Sequence, residues 1–186
     1  MFRKLKLLFS RKDTKISISP SSAPVIEKKA VTEYFQEELD SCPFIKKECH
    51  NIVMKHLSHE VSLVKTDNKL TAEEKKEIGL NPRQAITKEL VAVLTKEGLR
   101  NKNPKGILAD IYNKATITKL RDDGFSKSIG AGIKKFTLQS SGDGSECDWC
   151  KENIDIEMGQ DILELIKKNC TCHPYSKCFI KPIVDF

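Results

Sequence analysis

The chain has 186 residues, enough for one domain of ordinary size with an attached tail and a real core. With 39% hydrophobic and 31% charged residues it has the composition of a soluble protein, and no apolar stretch approaches the roughly 18 to 20 residues that span a bilayer. A formal charge of +6 gives mild attraction to polyanions, but Lys and Arg are interleaved with Glu and Asp along almost the whole chain, which is weak evidence for nucleic-acid contact.

Residues 1–24 are expected to form a flexible basic leader and linker. They run from MFRKLKLLFSRK into SISPSSAP, whose Ser and Pro content cannot support a packed core. The LKLLF segment is too short for a secretory apolar region and no small-residue cleavage site follows. A reducing cytoplasm is therefore the expected compartment.

Residues 25–124 carry helical periodicity, with about five helices expected. Val31, Phe35 and Leu39 form one stripe. After Cys42-Pro43, a second runs through Ile45, Cys49, Ile52, Val53, Leu57, Val61 and Val64. Thr71 with Glu74 predicts a capping box ahead of a short helix. Asn81-Pro82 predicts the start of another, with Ala85, Ile86, Leu90, Val93 and Leu94 on its apolar face and Gly98 as its stop. Asn103-Pro104 repeats the start signal for a helix through Ile107, Leu108, Ile111, Tyr112 and Ala115, ending near Asp123-Gly124.

Residues 125–186 change period, and a strand-rich Cys/His metal-binding module is expected there. Ile133 to Leu138 predicts a strand, SSGDGS a turn, and Asn153 to Met158 a second strand. Asp161 can cap a short helix bearing Ile162, Leu165 and Ile166, and FIKPIVDF reads as an edge strand interrupted by Pro182. The fold class is α+β: a helical N-terminal body followed by a small, zinc-stapled, β-rich C-terminal module.

The staple is read from the cysteines. Seven is an odd number, and disulfides are rare in a reducing compartment, so metal binding is the better use for them. Zinc takes four ligands in a tetrahedron, often from two short knuckles. Cys147 and Cys150 form a C-x-x-C knuckle. About twenty residues on, Cys170, Cys172, His173 and Cys178 offer four candidates for two remaining places. Structural Zn2+ is the expected cofactor. A thioredoxin-like role is disfavoured because C-D-W-C is not expected to open a helix after a βαβ pattern.

The run GFSKSIGAGIKKFTLQSSGDGSECDWC, about twenty further residues, and HPYSKCFIKPIVDF together resemble the C-terminal signature of the head-morphogenesis, or minor head, proteins of tailed bacteriophages. Cys147, Cys150, His173, Pro174, Lys177, Cys178 and Pro182 match that pattern, while Ser176 and Asp155 depart from it. A second register places Asn169-Cys170-Thr171-Cys172 on the closing motif instead. The resemblance covers about residues 105 to 186. It implies a non-enzymatic virion-assembly component encoded by a phage or prophage, in the cytoplasm of the bacterial host or the virion interior. Its implied partners are the portal and other capsid proteins, with DNA nearby and non-specific contact to it. The alternative is a zinc-ribbon-like nucleic-acid-binding or regulatory protein.

Other features have ordinary explanations. His56 and His59 are read as solvated helix histidines rather than a second metal site, and Cys42 and Cys49 as small apolar side chains. Gly130 and Gly132 suggest a connector, Trp149 packs over the knuckle, and Lys127, Lys134 and Lys135 protect a strand edge.

Overall fold

A computed structural model describes residues 29–184; the leader and linker assigned to 1–24 lie outside the described residues. Those residues form a mixed structure of eight α-helices, one 3-10 turn and a two-stranded sheet.

Helix α1 (Val31–Ser41) buries Tyr34, Phe35 and Leu39, while Val31, at the end of the expected stripe, stays exposed. The Glu33 carboxylate accepts from the Ala30 N–H at 2.8 Å and so satisfies one of the helix's free donors. After a 3-10 turn (Lys47–Cys49), α2 (His50–Leu57) is shorter than its apolar stripe suggests. The chain leaves the helix at His59, whose φ is 64°, and Val61 and Val64 lie in irregular structure beyond it. The expected capping box is present at α3 (Ala72–Glu77): Thr71 Oγ1 accepts from Glu74 N–H at 3.2 Å and the Glu74 carboxylate from Thr71 N–H at 2.8 Å.

The helix expected from Asn81 to Gly98 is replaced by two short ones, α4 (Lys88–Val93) and α5 (Lys96–Arg100). Asn81 does not cap a helix; its carboxamide oxygen accepts from Arg83 N–H at 3.0 Å and makes a local turn. Thr87 and Thr95 are the caps, accepting from Leu90 and Gly98 N–H, and Leu94 between the two helices is extended. Gly98 therefore lies inside α5 rather than after it.

Helix α6 (Gly106–Gly130) spans 25 residues and runs past the expected end at Asp123-Gly124. It stops at Gly130 because Gly132 takes a φ of 84° and returns its N–H to Ile129 O at 2.9 Å. α6 joins two hydrophobic clusters. Its Ile107, Leu108, Ile111 and Ala115 pack with α1, α2 and α4, and its Phe125 packs with the C-terminal elements, ring to ring against Phe136 at 5.0 Å. Full burial of a Leu or Phe side chain stabilises by about 1.5–3 kcal/mol, so both clusters carry substantial energy.

Strands β1 (Lys135–Ser140) and β2 (Cys178–Ile183) pair antiparallel, with Phe136 opposite Pro182 and Ser140 opposite Cys178. The strand expected at Asn153 to Met158 does not form a ladder. Asp155 adopts a left-handed φ of 60°, which breaks the extended run, and only isolated bridges join Ile154 to Leu138 and Met158 to Phe136. Two helices complete this part: α7 (Asp148–Asn153) and α8 (Ile162–Asn169), the latter burying Ile162, Leu163 and Ile166. Among the described residues, no helix is long and apolar enough to cross a membrane.

Candidate metal centre

The pairing of β1 with β2 explains why two distant knuckles meet. Ser140 sits opposite Cys178, so the segment leading forward to Cys147 and the segment leading back to Cys172 leave the same end of the sheet. Side chains and backbone clip these segments together. Ser141 N–H donates to Lys177 O at 3.0 Å, and the Lys177 ammonium lies 3.5 Å from the Asp143 carboxylate and over the Tyr175 ring at 4.4 Å. The Asp143 carboxyl is held down at about 2, chiefly by hydrogen bonds from the Ser145 hydroxyl and N–H. Buried Glu146 accepts from the Ser140 hydroxyl, which lowers its carboxyl too.

Local structure aims the sulfurs. Cys147 is the N-cap of α7 and Cys150 its third residue, a spacing that brings both side chains to one side of the helix start. C-D-W-C thus does open a helix, against the sequence expectation; the sheet beside it is antiparallel and two-stranded, with no βαβ unit. Cys170 is the C-cap residue of α8, its N–H bound to Ile166 O at 2.9 Å, and Cys172 follows in the turn.

The sulfurs of Cys147, Cys150, Cys170 and Cys172 all lie within 4.8 Å of one another. Cys150 Sγ stands 3.5 Å from that of Cys170 and 3.8 Å from that of Cys172. Four Zn–S bonds of about 2.3 Å in a tetrahedron place sulfurs about 3.8 Å apart, so the donor set fits one tetrahedral ion. Backbone donors complete the cage: Cys147 N–H points at Cys172 Sγ at 3.2 Å and Thr171 N–H at Cys147 Sγ at 3.4 Å.

The thiols also fit a cation electrostatically. Burial pushes the Cys147 thiol up, but hydrogen bonds from the backbone and side chains of Cys150 and Thr171 together outweigh it and hold it at about 6. Burial pushes Cys150 strongly up, and hydrogen bonds with Cys170, Cys147 and Cys178 act the same way. Cys172 is raised, again chiefly by burial. Crowded sulfurs resist ionising together without a countercharge, and a bound divalent ion supplies one.

His173 and Cys178 lie outside this group of four. His173 is exposed and faces a cleft with Glu38, Phe44, Ile111 and Lys114 on the helical body. Cys178 is buried as the first residue of β2, and its thiol contacts Cys150. The grouping corresponds to the second of the two registers, with Cys170 and Cys172 as the downstream pair.

Residues with ordinary roles are placed accordingly. Cys42 and Cys49 are half-buried against the first core, and Trp149 packs against the second. His56 Nδ1 accepts from the Leu63 N–H at 3.3 Å, the His59 ring lies 5.5 Å from that of Tyr112, and the two histidines border one cleft with Lys105 and Leu108. Lys135 is ion-paired with Glu157 at 3.0 Å. Sequence reasoning did not find the Asp143–Lys177 clip or the Thr171 donor, since a charge pair across a loop and a backbone N–H leave no pattern in the chain. Comparison of the chain with protein-family models, with curated proteins and with solved structures finds no match.

Proposed function

We propose that the chain is a non-enzymatic assembly protein of the phage minor-head type, whose C-terminal module is held together by a structural Zn2+ ion on Cys147, Cys150, Cys170 and Cys172. The observation that carries the metal half is the convergence of four sulfurs within 4.8 Å from knuckles twenty residues apart. With four protein ligands the site is closed, leaving no position for a reacting water, which favours a structural over a catalytic ion. The ion offsets the small size of the second core, because structural zinc contributes about 10 to 16 kcal/mol in apparent terms.

The assembly half rests on the signature over about residues 105 to 186, and the metal-fastened module would then be the surface offered to a portal or capsid protein. Metal analysis of purified protein tests the first half: one zinc per chain is expected, and none would end the reading. The second is tested by looking for portal and terminase genes in the neighbourhood and co-expressing the chain with a portal protein found there; their absence would end the assembly reading. Co-purification in fixed ratio is expected. A chain that instead ignores portal and retards duplex DNA, with affinity falling steeply as salt rises, is the nucleic-acid-binding alternative.

A further inference from the structure

The group of four sulfurs has a fifth neighbour. Cys178 is 5% exposed, shares the second hydrophobic cluster with the four, and its thiol is hydrogen-bonded with that of Cys150, the one member of the group that is wholly buried. Its backbone is fixed: it opens β2 opposite Ser140, and its carbonyl accepts from the Ser176 hydroxyl at 3.3 Å. That same hydroxyl stands 3.7 Å from the Cys170 sulfur. Cys178 thus approaches the centre from its core side, immediately behind Cys150.

We propose that Cys178 is a reserve ligand of the metal centre, able to take the coordination position of Cys150. The proposal rests on the metal reading above. A change of one χ1 rotamer carries a cysteine sulfur by about 3 Å without moving the backbone. Cys178 shares the cluster that holds all four sulfurs, and Ser176 links its carbonyl to the Cys170 sulfur, so a side-chain rotation rather than a backbone movement is the change the exchange asks of it. In the exchange the metal–sulfur bond to Cys150 breaks and its thiolate takes up a proton, while the Cys178 S–H bond breaks, its proton is released and a metal–sulfur bond to Cys178 forms. No electron is transferred, and where Cys150 has been replaced only the second half occurs. The consequence is a centre that survives the loss of its innermost thiolate. A valine or alanine would fill the same space in the core but could not do this, and a merely space-filling role for Cys178 makes the opposite prediction.

The test uses the full chain and four proteins: wild type, Cys178→Ser, Cys150→Ser and the double variant, with Cys150→Ala beside Cys150→Ser in case a buried hydroxyl disturbs the fold. Each is loaded with Zn2+ for stoichiometry and with Co2+, whose thiolate charge-transfer intensity per ion reports the number of bound sulfurs. Wild type and Cys178→Ser are expected to show four sulfurs. Cys150→Ser or Cys150→Ala should also show four, with affinity lowered by about 10- to 100-fold, the usual effect of disturbing the shell around a metal. The double variant should show three or bind no ion. Three sulfurs or no ion in both Cys150 single variants overturns the proposal while leaving the four-cysteine centre standing. A wild type that binds neither metal removes the centre itself, and the reserve ligand with it.

Discussion

The backbone N–H of Cys147 donates to the sulfur of Cys172 at 3.2 Å, across 25 residues of intervening chain. One knuckle is thereby aligned by the other, and the reverse bond from Thr171 N–H to the Cys147 sulfur closes the clasp. Hydrogen bonds to thiolates are charge-assisted and so strengthen when an ion holds the sulfurs deprotonated. Knuckle geometry and metal occupancy should therefore rise and fall together.

Chelation is expected to loosen the C-terminal module and spare the helical body. Trp149 sits between two of the cysteines and packs on the second core, and it is the one tryptophan in the chain. Its emission should shift to the red on chelator addition and return with Zn2+, while far-UV circular dichroism keeps most of its helical signal. An unchanged Trp149 spectrum in metal-stripped protein would contradict the staple.

Cys147→Ser should cost the centre its ion, and with it a stabilisation of about 10 to 16 kcal/mol in apparent terms, enough to leave the module unfolded. His173→Ala should keep one zinc per chain, because that ring is exposed and outside the group of four. Metal content of the two variants, measured side by side, decides between the two registers; loss of zinc from His173→Ala would restore the histidine as a ligand.

Tyr34 gives the helical body a pH limit. Burial, the Asp122 charge and a 3.2 Å hydrogen bond to Asp122 push its phenol up to about 12. A group raised in the folded state stabilises fully below its unfolded value, about 10 for Tyr, and loses that contribution as pH rises through 12. Tyr34→Phe should lower stability by about 1–3 kcal/mol at pH 8, since it leaves a buried carboxylate oxygen without its donor. In urea titrations the gap between variant and wild type should close on approaching pH 12, and a gap independent of pH would rule out this origin.

Two glycines in helices should respond in opposite directions to alanine. A Cβ at Gly98 would stand 2.5 Å from the backbone oxygen of Phe44, whereas at Gly124 it would meet nothing within 4 Å. Gly98→Ala should destabilise by about 1–3 kcal/mol through overpacking, despite alanine's better helix propensity. Gly124→Ala should stabilise by about 0.5–1 kcal/mol. Thermal melts of the two variants check both signs.

The chain alone settled whatever depends on neighbours a few residues apart. The Thr71-Glu74 box, the apolar step from Ile107 to Ala115, the alternation of Phe136 and Leu138 and the C-x-x-C spacing are local patterns, and each reappears as the element or knuckle it suggested. Long-range contacts decided the rest. The Thr87 and Thr95 hydroxyls donate to Leu63 O and Pro43 O and so place the starts of α4 and α5, while Asp155, in its left-handed turn, gives its N–H to Leu138 O where a strand was expected. Which two of Cys170, Cys172, His173 and Cys178 join the first knuckle depends on the β1–β2 register, which carries Cys178 into the core and leaves His173 on the surface. Spacing supplies ligands in number, but their direction is fixed only when strands pair and helices dock, because that is when each sulfur acquires a position relative to the others.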